Sequence, residues 1–278
     1  MELTDPCLYS PFSALCTSFQ QIYSTTKKAD KATLVKHLYT TWKQKRQNQK
    51  ESFYNILRLI IPKLDTDRKS YNLKEKNLAD KFCKVLCLSA ISNEGKRLKN
   101  FKSIKGTKDF PDALHHVLKD RCHGVRGFTV GEVNDMLDSI QAGTKDHPGQ
   151  VKKVLEQITQ EMRPSEIKWF IRLVLKDLNL GMSDKSVLQC LEQGAQPAYL
   201  LCSNLQELCS KLETLDTLTC SVKLNQVFKP MVADRITDLS NAVQCLDNEP
   251  FFVETKYDGE RIQVRSLLCF SRPFSSLY

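Results

Sequence analysis

Pro164-Ser-Glu-Ile-Lys-Trp-Phe-Ile-Arg-Leu-Val-Leu-Lys-Asp-Leu-Asn-Leu-Gly181 is the stretch that decides the fold class. Its apolar residues Ile167, Phe170, Ile171, Val174 and Leu178 recur at spacings of three and four, which places them on one face of a helix. Pro164 suits the first turn and Gly181 a stop, so the pattern predicts a helix from Pro164-Ser165 to near Gly181. Lys168, Arg172 and Lys176 sit four apart on another face. That basic ridge has two readings, contact with a phosphate backbone or an ordinary solvated face, and Asp177 beside it keeps both open.

The same periodicity spreads outward in both directions. It predicts helices over 12–23, 32–42, 53–64, 73–88 and 111–118, and residues 1 to about 225 read as helix after helix. Thr129-Val-Gly-Glu132 is a capping box, in which hydroxyl and carboxylate each accept an orphan amide, ahead of Val133, Met136, Leu137 and Ile140, with Gly143 as the stop. Residues 93–108, with Gly95, Gly106 and few apolar side chains, read as an exposed loop or short helix near an anionic partner. The character changes after Leu224. Phe228-Lys-Pro-Met-Val-Ala233 opens a segment in which Phe251-Phe-Val-Glu-Thr255 and Ile262-Gln-Val264 read as strands.

Charge locates a partner class. Residues 1–228 carry 35 basic against 25 acidic side chains, whereas 229–278 carry 6 against 7. Within the first part, Lys27 to Lys108 hold 22 basic and 7 acidic groups, a density that suits a polyanion such as nucleic acid. The eleven cysteines, odd in number and without CxxC pairs, fit neither a disulfide framework nor a zinc site and read as reduced core residues. His115 and His116 point to two sides of a helix and make a poor metal chelate. No stretch approaches the roughly 20 apolar residues of a membrane span, and the N-terminus has no signal-peptide pattern.

Chemistry concentrates in Glu254-Thr-Lys-Tyr-Asp-Gly-Glu-Arg261, between the two strand-like runs. A lysine at a strand end presents its amine in a pocket, and it attacks a nucleotide α-phosphate only when neutral, so Lys256 requires desolvation or a cationic neighbour such as Arg261. Arg261 also suits phosphate or ribose oxygens, and Gly259 permits a sharp turn beside a ligand. Glu254, two residues before the lysine, shares its strand face and can accept a hydrogen bond from an exocyclic amino group.

ExKxDGxR resembles the first nucleotidyltransferase motif of the ATP-dependent DNA ligase family, and FKPMVA is similar to the segment that opens its adenylation domain. Ser52-Phe-Tyr-x-x-x-Arg58-Leu-Ile-x-Pro62, Val133 to Ile140 and Lys168 to Gly181 resemble the helical DNA-binding domain of the family's ligase IV branch. The resemblance implies a mainly α fold, with a multi-helix DNA-binding domain over 1–228 and the first strands of an incomplete α+β adenylation domain over 229–264. It implies joining of DNA double-strand breaks in non-homologous end joining and V(D)J recombination, in the nucleus, through a lysyl-AMP intermediate. Lys256 would be the nucleophile, Glu254 and Thr255 would line the adenine site, Tyr257 would pack nearby and Arg261 would contact the nucleotide.

ATP and Mg²⁺ are the implied cofactors and DNA the implied partner. Only 17 residues follow Arg261, so the family's metal-binding carboxylates, OB-fold and BRCT repeats are not expected in this chain, nor is the coiled-coil scaffold partner that docks at the BRCT repeats. Residues 265–278 read as an aberrant tail, and the chain alone is expected to bind DNA without completing ligation. Two alternatives stand beside the enzyme: an inactive DNA-binding module, and an RNA-capping guanylyltransferase, which shares KxDG but lacks the long basic helical region.

Overall fold

The computed structural model describes residues 10–45, 52–68, 70–89, 91–103, 107, 109–143 and 148–213, together with 252, 254, 255 and 259. Among them the fold is helical, as the periodicity requires. The helices are α1 (Phe12–Ser24), α2 (Lys28–Lys45), α3 (Tyr54–Ile60), α4 (Glu75–Val85), α5 (Asn93–Lys99), α6 (Phe110–Leu118), α7 (Val130–Gly143), α8 (Pro148–Glu161), α9 (Pro164–Val174), α10 (Asp184–Leu191), α11 (Ala195–Cys202) and α12 (Leu205–Glu213). A 3₁₀ turn, Phe101–Ser103, follows α5. The described residues hold no strand, only an isolated antiparallel bridge between Pro11 and Thr129. Of the expected strands, Phe252, Glu254 and Thr255 are described and lie in no strand, while the rest fall outside the described residues, as does the expected boundary at 228/229.

By contacts the chain divides into a unit of residues 1–199 with 204–219 and a second of 200–203 with 220–278. In the first unit α9 lies at the centre, against α6, α1 and α8. Every residue from Glu166 to Val174 is buried, so this helix is enclosed on all sides rather than amphipathic. Trp169, Phe170, Ile167 and Ile171 are almost wholly buried, each contributing about 1.5–3 kcal/mol of hydrophobic free energy. Around this centre α10 packs on α2, α7 on α8, α5 on α6 and α4, and α3 on α7 and α12.

Two helix ends correct the sequence reading. The helix expected to reach Gly181 stops at Val174. There the amide of Lys176 donates to the Leu173 carbonyl (2.9 Å) and that of Asp177 to the Arg172 carbonyl (3.0 Å), the paired bonds of a Schellman ending, with Lys176 left-handed at φ 54°. A non-glycine residue there costs about 1–2 kcal/mol. It is offset by the Lys176 ammonium, which donates to the backbone carbonyls of Arg68 and Asp65. The helix expected over 53–64 ends at Ile60, because Pro62 has no amide to continue the ladder.

Elsewhere the boundary signals hold. The Thr129 hydroxyl accepts from the Glu132 amide (3.2 Å), the Glu132 carboxylate accepts from the Thr129 amide (2.9 Å), and α7 ends on Gly143. Residues 93–99 form the short helix α5. Its N-cap Ser92 accepts from the Gly95 amide at 3.0 Å and donates to the Ser89 carbonyl at 2.7 Å. Gly95 lies so close to the preceding turn that a β-carbon would meet the Ser89 carbonyl oxygen at 2.2 Å.

That approach sets up a test of sign. Helix propensity alone makes Gly→Ala stabilising by up to about 1 kcal/mol. Gly95→Ala is expected instead to lower the unfolding free energy measured in urea, by about 1 kcal/mol or more, because backbone rather than a flexible side chain blocks the added methyl.

Candidate functional site

The basic ridge on and just beyond α9 is turned largely into the fold, with Lys176 half-buried. Lys168 is 8% exposed and Arg172 0%. The Arg172 guanidinium donates to Asp109 (2.8 Å), to Asp112 (3.2 Å) and to the Leu178 carbonyl (3.1 Å). It lies over the rings of Tyr23 and Trp169 at 4.4 and 4.8 Å, a cation–π arrangement. The Lys168 ammonium is 2.9 Å from Asp112 and 3.3 Å from the Gln20 side-chain oxygen. Tyr23 completes the cluster by donating its hydroxyl to the other Asp112 oxygen at 2.9 Å. Lys168 and Arg172 therefore face α1 and α6 as an internal ion-pair array, whereas Lys176, beyond the end of α9, donates to the Arg68 and Asp65 carbonyls.

Electrostatics follow from that enclosure. Burial pushes the Asp112 carboxyl up, but hydrogen bonding and charge from Lys168 and Arg172, with the Tyr23 hydroxyl, hold it below its ordinary value. The Tyr23 phenol is raised, first by burial. His115, on the same helix as Asp112, is lowered to about 4 by burial and then by the charges of Lys168 and Lys119. Glu166 is raised by burial, against the hydrogen bond that its carboxylate accepts from the Arg163 amide.

A second array joins the three helical motifs. Arg58 pairs with Asp65 at 2.9 Å and approaches Asp138 at 3.9 Å. Arg68, itself buried, grips Asp138 through two nitrogens at 2.6 and 3.0 Å and also donates to the Asn134 carbonyl. The Asn134 side chain donates to the Asn55 carbonyl at 3.1 Å, which ties α7 to α3. With Lys176 bonded to the Arg68 and Asp65 carbonyls, the segments 52–62, 133–140 and 168–181 meet in one place. The positions that carried the sequence resemblance are thus positioning residues of a scaffold.

Of the nucleotide motif, Lys256, Tyr257, Asp258 and Arg261 lie outside the described residues. Glu254 and Thr255 are exposed, and Gly259 has open space around its α-carbon. The chemistry of the motif, an amine, a carboxylate and a guanidinium within eight residues, fits an adenine nucleotide. Among the described residues no group of three or more His, Cys, Asp or Glu could hold a metal ion, so no residue is assigned to Mg²⁺. Also among them, the seven cysteines form no disulfide, and no helix is long and apolar enough to cross a membrane.

This chain belongs to the ATP-dependent DNA ligase family. The family model of the DNA ligase N terminus matches residues 11–192, and that of the ATP dependent DNA ligase domain matches residues 230–275, which contain the ETKYDGER segment. Within the family the chain is similar to proteins named DNA ligase 4. It is 31% identical to those of Homo sapiens and Gallus gallus over 91% of its length and 29% of theirs, and to that of Dictyostelium discoideum over 91% and 27%. The chain thus spans less than a third of these relatives.

Asp109 and Asp112, the partners of the α9 cations, went unread in the sequence. Asp109-Phe-Pro-Asp112 does carry a helix-start signal: Asp109 caps α6 by accepting from the Asp112 amide at 3.0 Å, with Pro111 in the first turn. Nothing local announces that the same carboxylates answer charges some sixty residues away.

His115 makes the enclosure measurable. Its folded value near 4 lies below its ordinary 6.5, so the unfolded chain binds the extra proton between those limits. Its contribution is complete above about pH 6.5 and is lost as pH falls toward 4. In urea unfolding, His115→Gln is expected to flatten the decline in stability over that window, whereas an unchanged slope would place His115 in a solvated site.

Proposed function

We propose that this chain acts in ATP-dependent DNA ligation of the ligase IV type, with the helical unit holding DNA and Lys256 as the nucleophile that takes AMP from ATP. The observation that carries the reading is the ExKxDGxR motif, set behind a basic helical region in a chain of this family. ATP supplies the adenylate that activates a 5′-phosphate, after which the neighbouring 3′-hydroxyl displaces AMP. For its part the neutral Lys256 amine attacks the α-phosphorus, breaking the α–β phosphoanhydride bond with release of pyrophosphate, Arg261 holds nucleotide oxygens, and Glu254 accepts from the adenine amino group, with Thr255 and Tyr257 beside the base. Non-homologous end joining and V(D)J recombination in the nucleus are the processes in which this reading places the protein, with Mg²⁺ as companion ion.

A second reading, a DNA-binding module without adenylation, is favoured by the basic excess of the helical region. Incubating the full chain with α-³²P-labelled ATP and Mg²⁺ separates the two. The expected result is label on Lys256 that is stable to alkali and lost in acid, as a phosphoramidate requires, absent from Lys256→Ala, with duplex binding equal in both proteins. Duplex binding without label supports the module, and labelling by GTP in preference to ATP supports an RNA-capping activity.

A further inference from the structure

We infer that the groove between α4 and α5 is the surface on which the helical unit seats the phosphates of a DNA duplex. The inference rests on the proposal that this chain binds DNA, and adds where. The α9 cations are buried, which leaves the exposed side chains of the basic stretch 27–108 to meet a polyanion. On α4, Lys76, Asp80 and Lys84 are exposed at intervals of four and so share a face, while Leu78, Ala79, Phe82 and Cys83 are buried. On α5 the exposed residues include Lys96, Arg97 and Lys99, and Lys102 follows in the 3₁₀ turn.

The two elements meet around a groove of about 410 Å³ lined by Asp80, Cys83, Lys84, Cys87, Leu88 and Lys99. Across it Lys99 lies 3.3 Å from Asp80. Both groups are exposed, so this pair is weak and is readily exchanged for a phosphate. Lys84, Lys96 and Lys102 have no ion-pair partner among the described residues. The row from Lys76 to Lys84 extends about 12 Å along α4, the rise of three to four phosphates in one strand at about 3.4 Å each.

The groove is also held in shape. α4 ends with Cys87 left-handed at φ 52°, its amide bonded to the Lys84 carbonyl and that of Leu88 to the Cys83 carbonyl. The Ser89–Ser92–Gly95 contacts then fix where α5 begins. Cations presented on such a preset frame lose little order when a polyanion arrives.

Anisotropy titrations of the full chain with a nicked duplex, at several salt concentrations, provide the test. Lys84→Gln with Lys99→Gln is expected to weaken binding at least about tenfold and to lower the salt slope by about two, near 0.9 per lost phosphate contact. Lys28→Gln with Lys185→Gln, exposed on α2 and α10, is expected to leave both unchanged. Asp80→Asn is expected to tighten binding a few-fold by releasing Lys99, a gain that misfolding does not produce. Saturating duplex is expected to slow alkylation of the exposed Cys87, read by peptide mass spectrometry.

If wild-type protein binds while Asp80→Asn fails to tighten it and Cys87 stays unprotected, the groove is wrong and the DNA-binding reading survives. A wild type that binds no duplex at low salt overturns that reading as well. Protection of Cys87 by phosphatidylserine vesicles but not by duplex would assign the groove to a lipid surface and overturn the inference.

Discussion

One buried guanidinium organises the centre of the helical unit. Arg172 has no exposed surface, yet it serves four parts of the chain at once. It meets α6 through Asp109 and Asp112, α1 through the Tyr23 ring, its own helix through Trp169, and the segment after α9 through the Leu178 carbonyl. A charge so placed is costly unless answered, and breaking such a pair typically costs about 3–5 kcal/mol. The packing of α6 and α1 on α9 is therefore conditional on two carboxylates being present. The depressed Asp112 carboxyl is the chemical expression of that condition.

The second array extends the same logic. Arg68 and Lys176 tie α7, the segment after α3 and the end of α9 through carboxylates and main-chain carbonyls. Two kinds of basic residue stand out among the described residues. Those answered by carboxylates and carbonyls inside the fold set the positions of helices, and those on α4, α5 and the 3₁₀ turn remain exposed. A protein that must grip a polyanion on a rigid frame needs both, since exposed cations act in register only where the helices beneath them cannot shift.

Much of this was legible in the chain itself. Apolar periodicity gave the helical class, and the Thr129–Glu132 box and Gly143 gave both ends of α7, because caps act through bonds within a few residues. The end of α9 was misread because Lys176 takes a left-handed conformation that glycine usually supplies, stabilised by carbonyls more than a hundred residues away. The role of the α9 ridge failed for the same reason. Spacing of four shows which side chains share a face, but the facing partners, Asp109 and Asp112, belong to another helix. The nucleotide motif is the converse case. Its identity rests on residue types at fixed short spacing, which a sequence displays fully, and most of its side chains lie outside the described residues.

The claim that internal ion pairs on α9 hold the helical unit together is tested most directly by a double-mutant cycle between Arg172 and Asp112, using Arg172→Met, Asp112→Asn and the double variant in equilibrium urea unfolding. The structure predicts a coupling energy between about 1 and 3 kcal/mol, because the two groups are in direct contact at 3.2 Å and each single change removes a partner from the other. Additivity within about 0.3 kcal/mol would contradict it, leaving the two residues as independent neighbours.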